Sequence, residues 1–183
     1  MIDWLTLTPQ AVARRLIGAT LILGGVGGRV VETEAYDAED PASHSFAGQT
    51  PRNAAMFGPV GRAYVYRAYG LHWCLNLVCG SRPGGAVLFR ALEPLTGIDR
   101  MIDRRGLTDL RRLASGPGRL CQALAVGAEH NGLEMTAPPF TLALAADRAQ
   151  IASGPRIGIT KAAHQPWRYG LADSPFLSRP IKP

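Results

Sequence analysis

The residues best suited to acid–base chemistry lie in Val30-Val31-Glu32-Thr33-Glu34-Ala35-Tyr36. Side chains alternate along an extended strand, so Val30, Glu32, Glu34 and Tyr36 share one face and Val31, Thr33 and Ala35 the other. Two carboxylates and a tyrosine are an odd choice for a core face. A carboxylate held against aromatic surface loses hydration and its pKa rises, which suits a general base working near neutrality. The competing reading is a solvated face on which Glu32 pairs with an arginine. That reading is preferred for Glu32; for Glu34 the spacing does not decide.

The next segment, Asp37 to Gln49, reads as a polar loop carrying Asp37, Glu39, Asp40 and His44. Together with Glu34, these are types that could bind a divalent cation for hydrolysis. The spacing matches no metal motif, so a metal-dependent nuclease using Glu34, Asp37 and His44 stands as the runner-up reading. A third group, Tyr64, Tyr66, Tyr69, His72, Trp73 and Asn76, falls in the clearest hairpin, Arg62 to Cys79. A three-residue loop, Tyr69-Gly70-Leu71, sets Ala68 opposite His72 and Tyr64 opposite Asn76. Tyr64, Tyr66, His72, Cys74 and Asn76 then share a face; a two-residue loop would part Tyr66 from Asn76. Tyr64 reads as a core or cross-strand residue. Tyr69 at the tip gains nothing from a core, but a ring there could fill the gap left by an extruded nucleotide. Ser115-Gly116-Pro117-Gly118-Arg119 opens a helix, where backbone N–H groups beside Arg119 suit a phosphate. An ordinary Gly/Pro loop explains that segment equally well.

These groups need a scaffold. Thr8 as N-cap, Pro9 at N1 and Gly18 as the stop predict a helix over residues 9–18. Thr20 to Leu23 and Arg29 to Tyr36 read as strands around a turn made by the glycines at 24, 25, 27 and 28. Further elements are a short helix at Arg52 to Phe57, a strand at Gly84 to Leu92, and helices at Pro94 to Arg105 and Arg119 to Val126. Later strands are expected at Phe140 to Ala145 and Arg156 to Thr160. Short mixed elements without regular β-α alternation indicate an α+β domain on a mainly antiparallel sheet.

Bulk properties narrow the classes. The 183 residues fit one domain, 1–183, and 46% hydrophobic content with a mean hydropathy of +0.02 is ordinary for a globular chain. No apolar run approaches the roughly 18 residues that span a bilayer. Met1-Ile2-Asp3-Trp4 has no basic n-region. Cys74, Cys79 and Cys121 are an odd set without CxxC spacing. They point to reduced thiols in the cytoplasm, with neither a disulfide framework nor a zinc site. The net charge of +6 is uneven. Residues 1–99 hold eight Arg/Lys and eight Asp/Glu, whereas residues 100–183 hold twelve and six. A basic half suits a polyanionic partner, although eighteen arginines against two lysines also look like composition bias. A non-catalytic nucleic-acid-binding domain is the third reading.

Several ordered segments resemble the alkyladenine (3-methyladenine) DNA glycosylase family, the type shared by bacteria and mammals. They are residues 30–36, Gln49-Thr50-Pro51-Arg52-Asn53-Ala54-Ala55-Met56-Phe57, Tyr64-Val65-Tyr66-Arg67-Ala68-Tyr69-Gly70, Leu88-Phe89-Arg90-Ala91-Leu92-Glu93-Pro94 and Ser115-Gly116-Pro117 through Leu124. Arg156-Ile157-Gly158-Ile159 and Ser174-Pro175-Phe176 fit more loosely. The resemblance implies a curved sheet with a protruding hairpin at about residues 62–79 and surrounding helices. It implies that Glu34 is the general base and that Arg90 lies beside it and contacts the target phosphate. Tyr36, His44 and Tyr66 are then the rings that stack on a flipped base, Asn76 obstructs the 2-amino group of guanine, and Tyr69 enters the minor groove. Ser43 at the pocket edge and His72 near the DNA are departures that bear on base preference and on the local DNA contact. Ser115, Gly116 and Arg119 remain candidates for the DNA backbone. The implied activity is hydrolysis of an alkylated purine, with deaminated and etheno purines as further candidates, from damaged double-stranded DNA in base excision repair. It needs no metal or organic cofactor and no membrane or obligate protein partner. A cytoplasmic monomer is expected, nucleoid-associated in a bacterium. Strand cleavage would need an amine nucleophile. With only Lys161, Lys182 and the N-terminal amine on offer, a glycosylase without lyase activity is expected.

Overall fold

The computed structural model describes residues 3–181. Helix α1 (Pro9–Leu16) begins where Thr8 Oγ1 accepts the Ala11 N–H at 3.3 Å and Pro9 takes the first position. It ends at Ile17, with Gly18 in the left-handed region at φ +89°. Strands β1 (Thr20–Leu23) and β2 (Val26–Tyr36) join through Gly24-Gly25, both at positive φ, as a two-residue hairpin requires. Gly27 and Gly28 belong to β2, not to the expected turn. A Cβ on Gly27 would lie 2.0 Å from the Leu21 carbonyl oxygen, and one on Gly28 1.9 Å from that of Glu93. They are glycines because neighbouring backbones crowd them.

Strands β3 (Ala63–Ala68) and β4 (His72–Val78) form the hairpin, with Ala68 opposite His72 and Tyr64 opposite Asn76. The three-residue loop is therefore the one used. Strand β5 (Ala86–Thr96) runs past Pro94, so the helix expected from Pro94 starts only after Gly97, as α2 (Ile98–Arg105). A single turn, α3 (Leu110–Leu113), precedes α4 (Pro117–Leu124), which starts two residues before the expected Arg119. The short helix expected over residues 52–57 is a 3₁₀ turn, Ala54–Phe57. Strand β6 (Phe140–Ala143) lies where expected, but Arg156 to Thr160 is loop. The late strands are instead β7 (Ile151–Gly154) and β8 (Arg168–Leu171), which pair with each other.

The strands form one antiparallel sheet in the order β3-β4-β5-β2-β1-β6, with β7 joined through β8 to β2. One edge of β2 is taken by β5. The other is divided, with β1 pairing residues 26–29 and β8 pairing residues 32–34. The sheet curls into a half-barrel, and the α+β architecture follows. Alternation along the strands divides its two faces. Val65, Leu75, Leu77, Val87 and Phe89 pack with Leu16, Leu120 and Leu124 of the helices in the main core. Burying each such side chain stabilises the fold by roughly 1.5–3 kcal/mol. Tyr64, Val78 and Ala86 point the other way and pack with Met56 in a smaller cluster. That second face carries the candidate site.

Candidate active site

The site begins with a double irregularity between β2 and β5. Val30 pairs with Leu92, Glu32 with Ala91 and Thr33 with Phe89, so Val31 and Arg90 are each left over in the ladder. Such bulges twist a strand and re-aim its side chains. Strict alternation fails here: Val30 joins the helix-side core with Ala35, instead of sharing a face with Glu32 and Glu34. Thr33 Oγ1 donates to the Ala13 carbonyl of α1 at 3.0 Å, which pins the strand from behind.

Arg90 projects between two carboxylates. Its Nε lies 3.0 Å from Glu32 Oε1, and Nη1 lies 3.1 Å from Glu34 Oε1. Both glutamate side chains are fully buried. The solvated reading of Glu32 is therefore wrong, although its pairing with arginine holds. Arg168 Nη1 reaches Glu32 Oε1 at 3.2 Å, Ser178 Oγ donates to the same oxygen at 2.8 Å, and the Ser178 N–H donates to Oε2 at 2.5 Å. Burial is tolerable because donors surround the charge.

Glu34 has a different set of partners. The Tyr36 hydroxyl donates to Oε2 at 2.7 Å and the Ile157 N–H to Oε1 at 2.8 Å, beside the Arg90 guanidinium. Burial, followed by the Glu34 charge, pushes the Tyr36 phenol far above its ordinary pKa, so it remains a donor. Glu34 and Arg90 line a cleft of about 570 Å³, as do Tyr36, Ser43, His44, Tyr64, Tyr66, Tyr69 and Asn76. That volume is in the range of small-molecule sites.

The aromatic walls are braced. The His44 and Tyr66 ring centroids are 4.5 Å apart at an interplanar angle of 71°, and Tyr64 stacks on Tyr66 at 5.4 Å. His44 Nδ1 and the Tyr64 hydroxyl are hydrogen-bonded at 2.9 Å. Partial burial, then the charge of Arg52, lowers the His44 pKa. Burial raises Tyr64 to about 12 and pushes Tyr66 up as well, so the rings are neutral near pH 7. The His44 loop is tied down by Asn53, whose Nδ2 donates to the carbonyls of His44 (2.8 Å) and Gly48 (3.1 Å). Ser43 Oγ bonds Ser45 Oγ at 2.7 Å, and Asn76 Nδ2 donates to the Tyr64 carbonyl at 3.0 Å. Tyr69 stands at the rim, 87% exposed and at φ +51°.

Other candidates lie elsewhere. His72 is exposed and packs over Gly118, where a Cβ would come within 3.0 Å of it. The Gly116 N–H donates to the Arg90 carbonyl at 2.8 Å, and Arg119 Nη1 turns back to the Ser115 carbonyl at 3.3 Å. Pro117 is the part of that segment that reaches the cleft. The metal trio is not assembled. Asp37 lies near Cys79, raising its thiol pKa after burial has done so, and Asp40 pairs with Arg156. Among the described residues no group of three His, Cys, Asp or Glu side chains is placed to hold an ion.

Sequence reasoning passed over Arg52, Asp40 as a structural residue, Arg168 and Ser178, and it gave Ile157 no role. The loosely matching segments around Arg156 and Ser174 were the only signal that those stretches contribute.

The protein family described as methylpurine-DNA glycosylase matches residues 3–175. A Nitrosospira multiformis protein provisionally named 3-methyladenine DNA glycosylase is 60% identical over 174 residues, covering 93% of this chain and 89% of its own. An Agrobacterium fabrum protein with the same provisional name is 58% identical over 172 residues, covering 94% and 88%.

Proposed function

The chain belongs to the methylpurine-DNA glycosylase family, and from that premise we propose that it excises alkylated purines from damaged duplex DNA by hydrolysis, with Glu34 as the general base. The observation that carries the reading is the buried Glu34 carboxylate, gripped by three donors in a cleft walled by Tyr36, His44 and Tyr66.

A purine alkylated at N3 or N7 is cationic, and its glycosidic bond is already weak. The enzyme needs to expose the nucleotide, stack the cation on electron-rich neutral rings and present water to C1′. As the C1′–N bond breaks, its electron pair leaves with the base and neutralises it. Water adds to C1′ and gives its proton to Glu34, whose charge also favours the oxocarbenium-like transition state. Arg90, only 6% exposed, acts first by orienting Glu34; a contact with the target phosphate is secondary. Tyr69 fills the gap in the duplex. Asn76 and Ser43 shape the edge against which the base is judged. Deaminated and etheno purines, which lack the positive charge, depend more on that fit.

No strand cleavage is expected to follow. Lys161 is exposed and does not line the cleft, while Lys182 and the N-terminal amine lie outside the described residues. The reading is completed by a monomer working in the cytoplasm or on a bacterial nucleoid.

The test is release of methylated purine from duplex DNA in EDTA, followed by alkaline cleavage at abasic sites. Glu34→Gln is expected to abolish release and keep DNA binding. Strand scission that EDTA blocks would favour a nuclease, and salt-sensitive binding without turnover a simple DNA binder. A borohydride-stable enzyme–DNA adduct would overturn the lyase-free reading.

A further inference from the structure

Outside the Glu34 cluster, Asp40 and Arg156 form a second buried charged pair. Arg156 Nη1 bonds Asp40 Oδ2 and Nη2 bonds Oδ1 at 3.1 Å, and both side chains are fully buried. Nη1 also donates to the Ala35 carbonyl at 2.9 Å. The guanidinium carbon lies 4.7 Å from the Tyr36 ring centroid and 5.1 Å from that of Trp167, within cation–π range. Arg156 Nε has no hydrogen-bond partner.

As a stabilising device this is poor. A buried ion pair seldom repays its desolvation, apolar side chains of the same shape often do as well, and an orphaned N–H adds a further cost. What the pair does is join segments the sheet does not hold. Asp40 shapes the turn before His44: its Oδ1 accepts the Ala42 N–H at 3.0 Å and its carbonyl accepts the Ser43 N–H at 2.8 Å. Arg156 directly precedes Ile157, whose N–H grips Glu34. Its guanidinium also faces the ring of Tyr36, whose hydroxyl grips the other oxygen. One wall of the cleft and two of the three donors on Glu34 are thus referred to a single guanidinium.

We propose that Asp40 and Arg156 are positioning residues for base excision, a clamp that fixes the His44 loop and the Ile157 N–H relative to Glu34. The inference rests on the glycosylase reading above. Loosening the clamp misplaces the catalytic carboxylate against the flipped nucleotide, so it slows the chemical step and leaves duplex binding largely alone.

Three variants test it, each measured for Tm, single-turnover excision rate and half-saturating enzyme concentration on 7-methylguanine duplex DNA. Arg156→Lys keeps the charge but loses the planar fork. Asp40→Asn keeps the shape but loses the charge. The double variant D40L/R156M replaces the pair with apolar volume. Both single variants are expected to lose roughly 10- to 100-fold in rate, with half-saturation changed by no more than about two-fold. The double variant is expected to keep or exceed the wild-type Tm and remain slow. A fast double variant, a double variant that fails to fold, or losses confined to half-saturation would each overturn the proposal. A wild-type protein that releases no methylated purine would instead refute the glycosylase reading.

Discussion

Glu32 and Glu34 are two residues apart, equally buried, and share Arg90, yet they should fail in opposite ways. Glu32→Gln keeps the volume and removes the charge. Oε1 accepts from Arg90, Arg168 and Ser178 Oγ, and Oε2 accepts from the Ser178 N–H. All four partners are donors, so a glutamine amide must turn its own NH₂ towards one of them. In its best orientation it keeps the three bonds at the carbonyl, now without charge assistance, and opposes the Ser178 N–H. Breaking a buried ion pair on one side costs about 3–5 kcal/mol. Against a total stability of about 5–15 kcal/mol the protein should still fold. A domain of this size loses about 2–4 °C per kcal/mol, so Tm should fall by about 6–20 °C. Arg90 keeps Glu34 as a partner, and excision per folded molecule at 25 °C should change by no more than about ten-fold. Thermal unfolding followed by circular dichroism, with single-turnover excision on the same preparation, measures both. An unchanged Tm, or a well-folded variant as inactive as Glu34→Gln, would refute the division of labour.

Tyr69 holds φ +51° at the hairpin tip. A glycine there relieves roughly 1–2 kcal/mol of left-handed strain and costs roughly 0.4–1 kcal/mol in chain entropy. Tyr69→Gly should therefore leave Tm nearly unchanged while slowing excision from duplex DNA more than from single-stranded DNA. Equal slowing on both would remove the gap-filling role. His44 has a pKa below its ordinary value of about 6.5. Between its folded pKa and about 6.5 the unfolded chain binds more protons, so this contribution is present above about pH 6.5 and is lost as the pH falls. His44→Gln should accordingly lose less urea resistance than wild type between about pH 7.5 and about pH 5.5. Equal losses would show that His44 contributes nothing to the acid sensitivity.

The scaffold was legible where local chemistry dictates it. Thr8, Pro9 and Gly18 bracket α1, and the aromatic runs around Tyr69-Gly70-Leu71 mark the hairpin, although its register is fixed only by the observed pairing of Ala68 with His72. It was illegible where a backbone is shaped by a distant neighbour. Gly27 and Gly28 read as a turn because glycine is permissive, but the carbonyls that crowd them belong to Leu21 and Glu93. β8 is short and polar at its start, and it exists because Arg168, Tyr169 and Gly170 pair with Glu34, Thr33 and Glu32. Arg156 to Thr160 has a strand-like pattern but no edge to join: β7 and β8 already pair on either side of it.

The same distance effect hid half of the site. The spacing left Glu34 undecided and only the family resemblance singled it out, whereas Glu32 looked like a solvated residue because Arg168 and Ser178 lie 136 and 146 residues further on. These contacts also change what the charge distribution means. The basic second half of the chain does not offer all its cations to a polyanion, because Arg156 and Arg168 are buried against Asp40 and Glu32 of the neutral first half. Lysine could not replace them, since each directs several N–H groups to separate acceptors from one planar fork. Part of the arginine bias is therefore architectural. Part of the positive charge left on the surface lies around α2, α3 and the start of α4. There Arg104, Arg105, Arg111, Arg112 and Arg119 have no carboxylate within 4.0 Å among the described residues. Burial, then the neighbouring charges of Arg119 and Arg112, depress the Arg105 pKa. α4 itself starts at Pro117 on the wall of the cleft that holds Glu34.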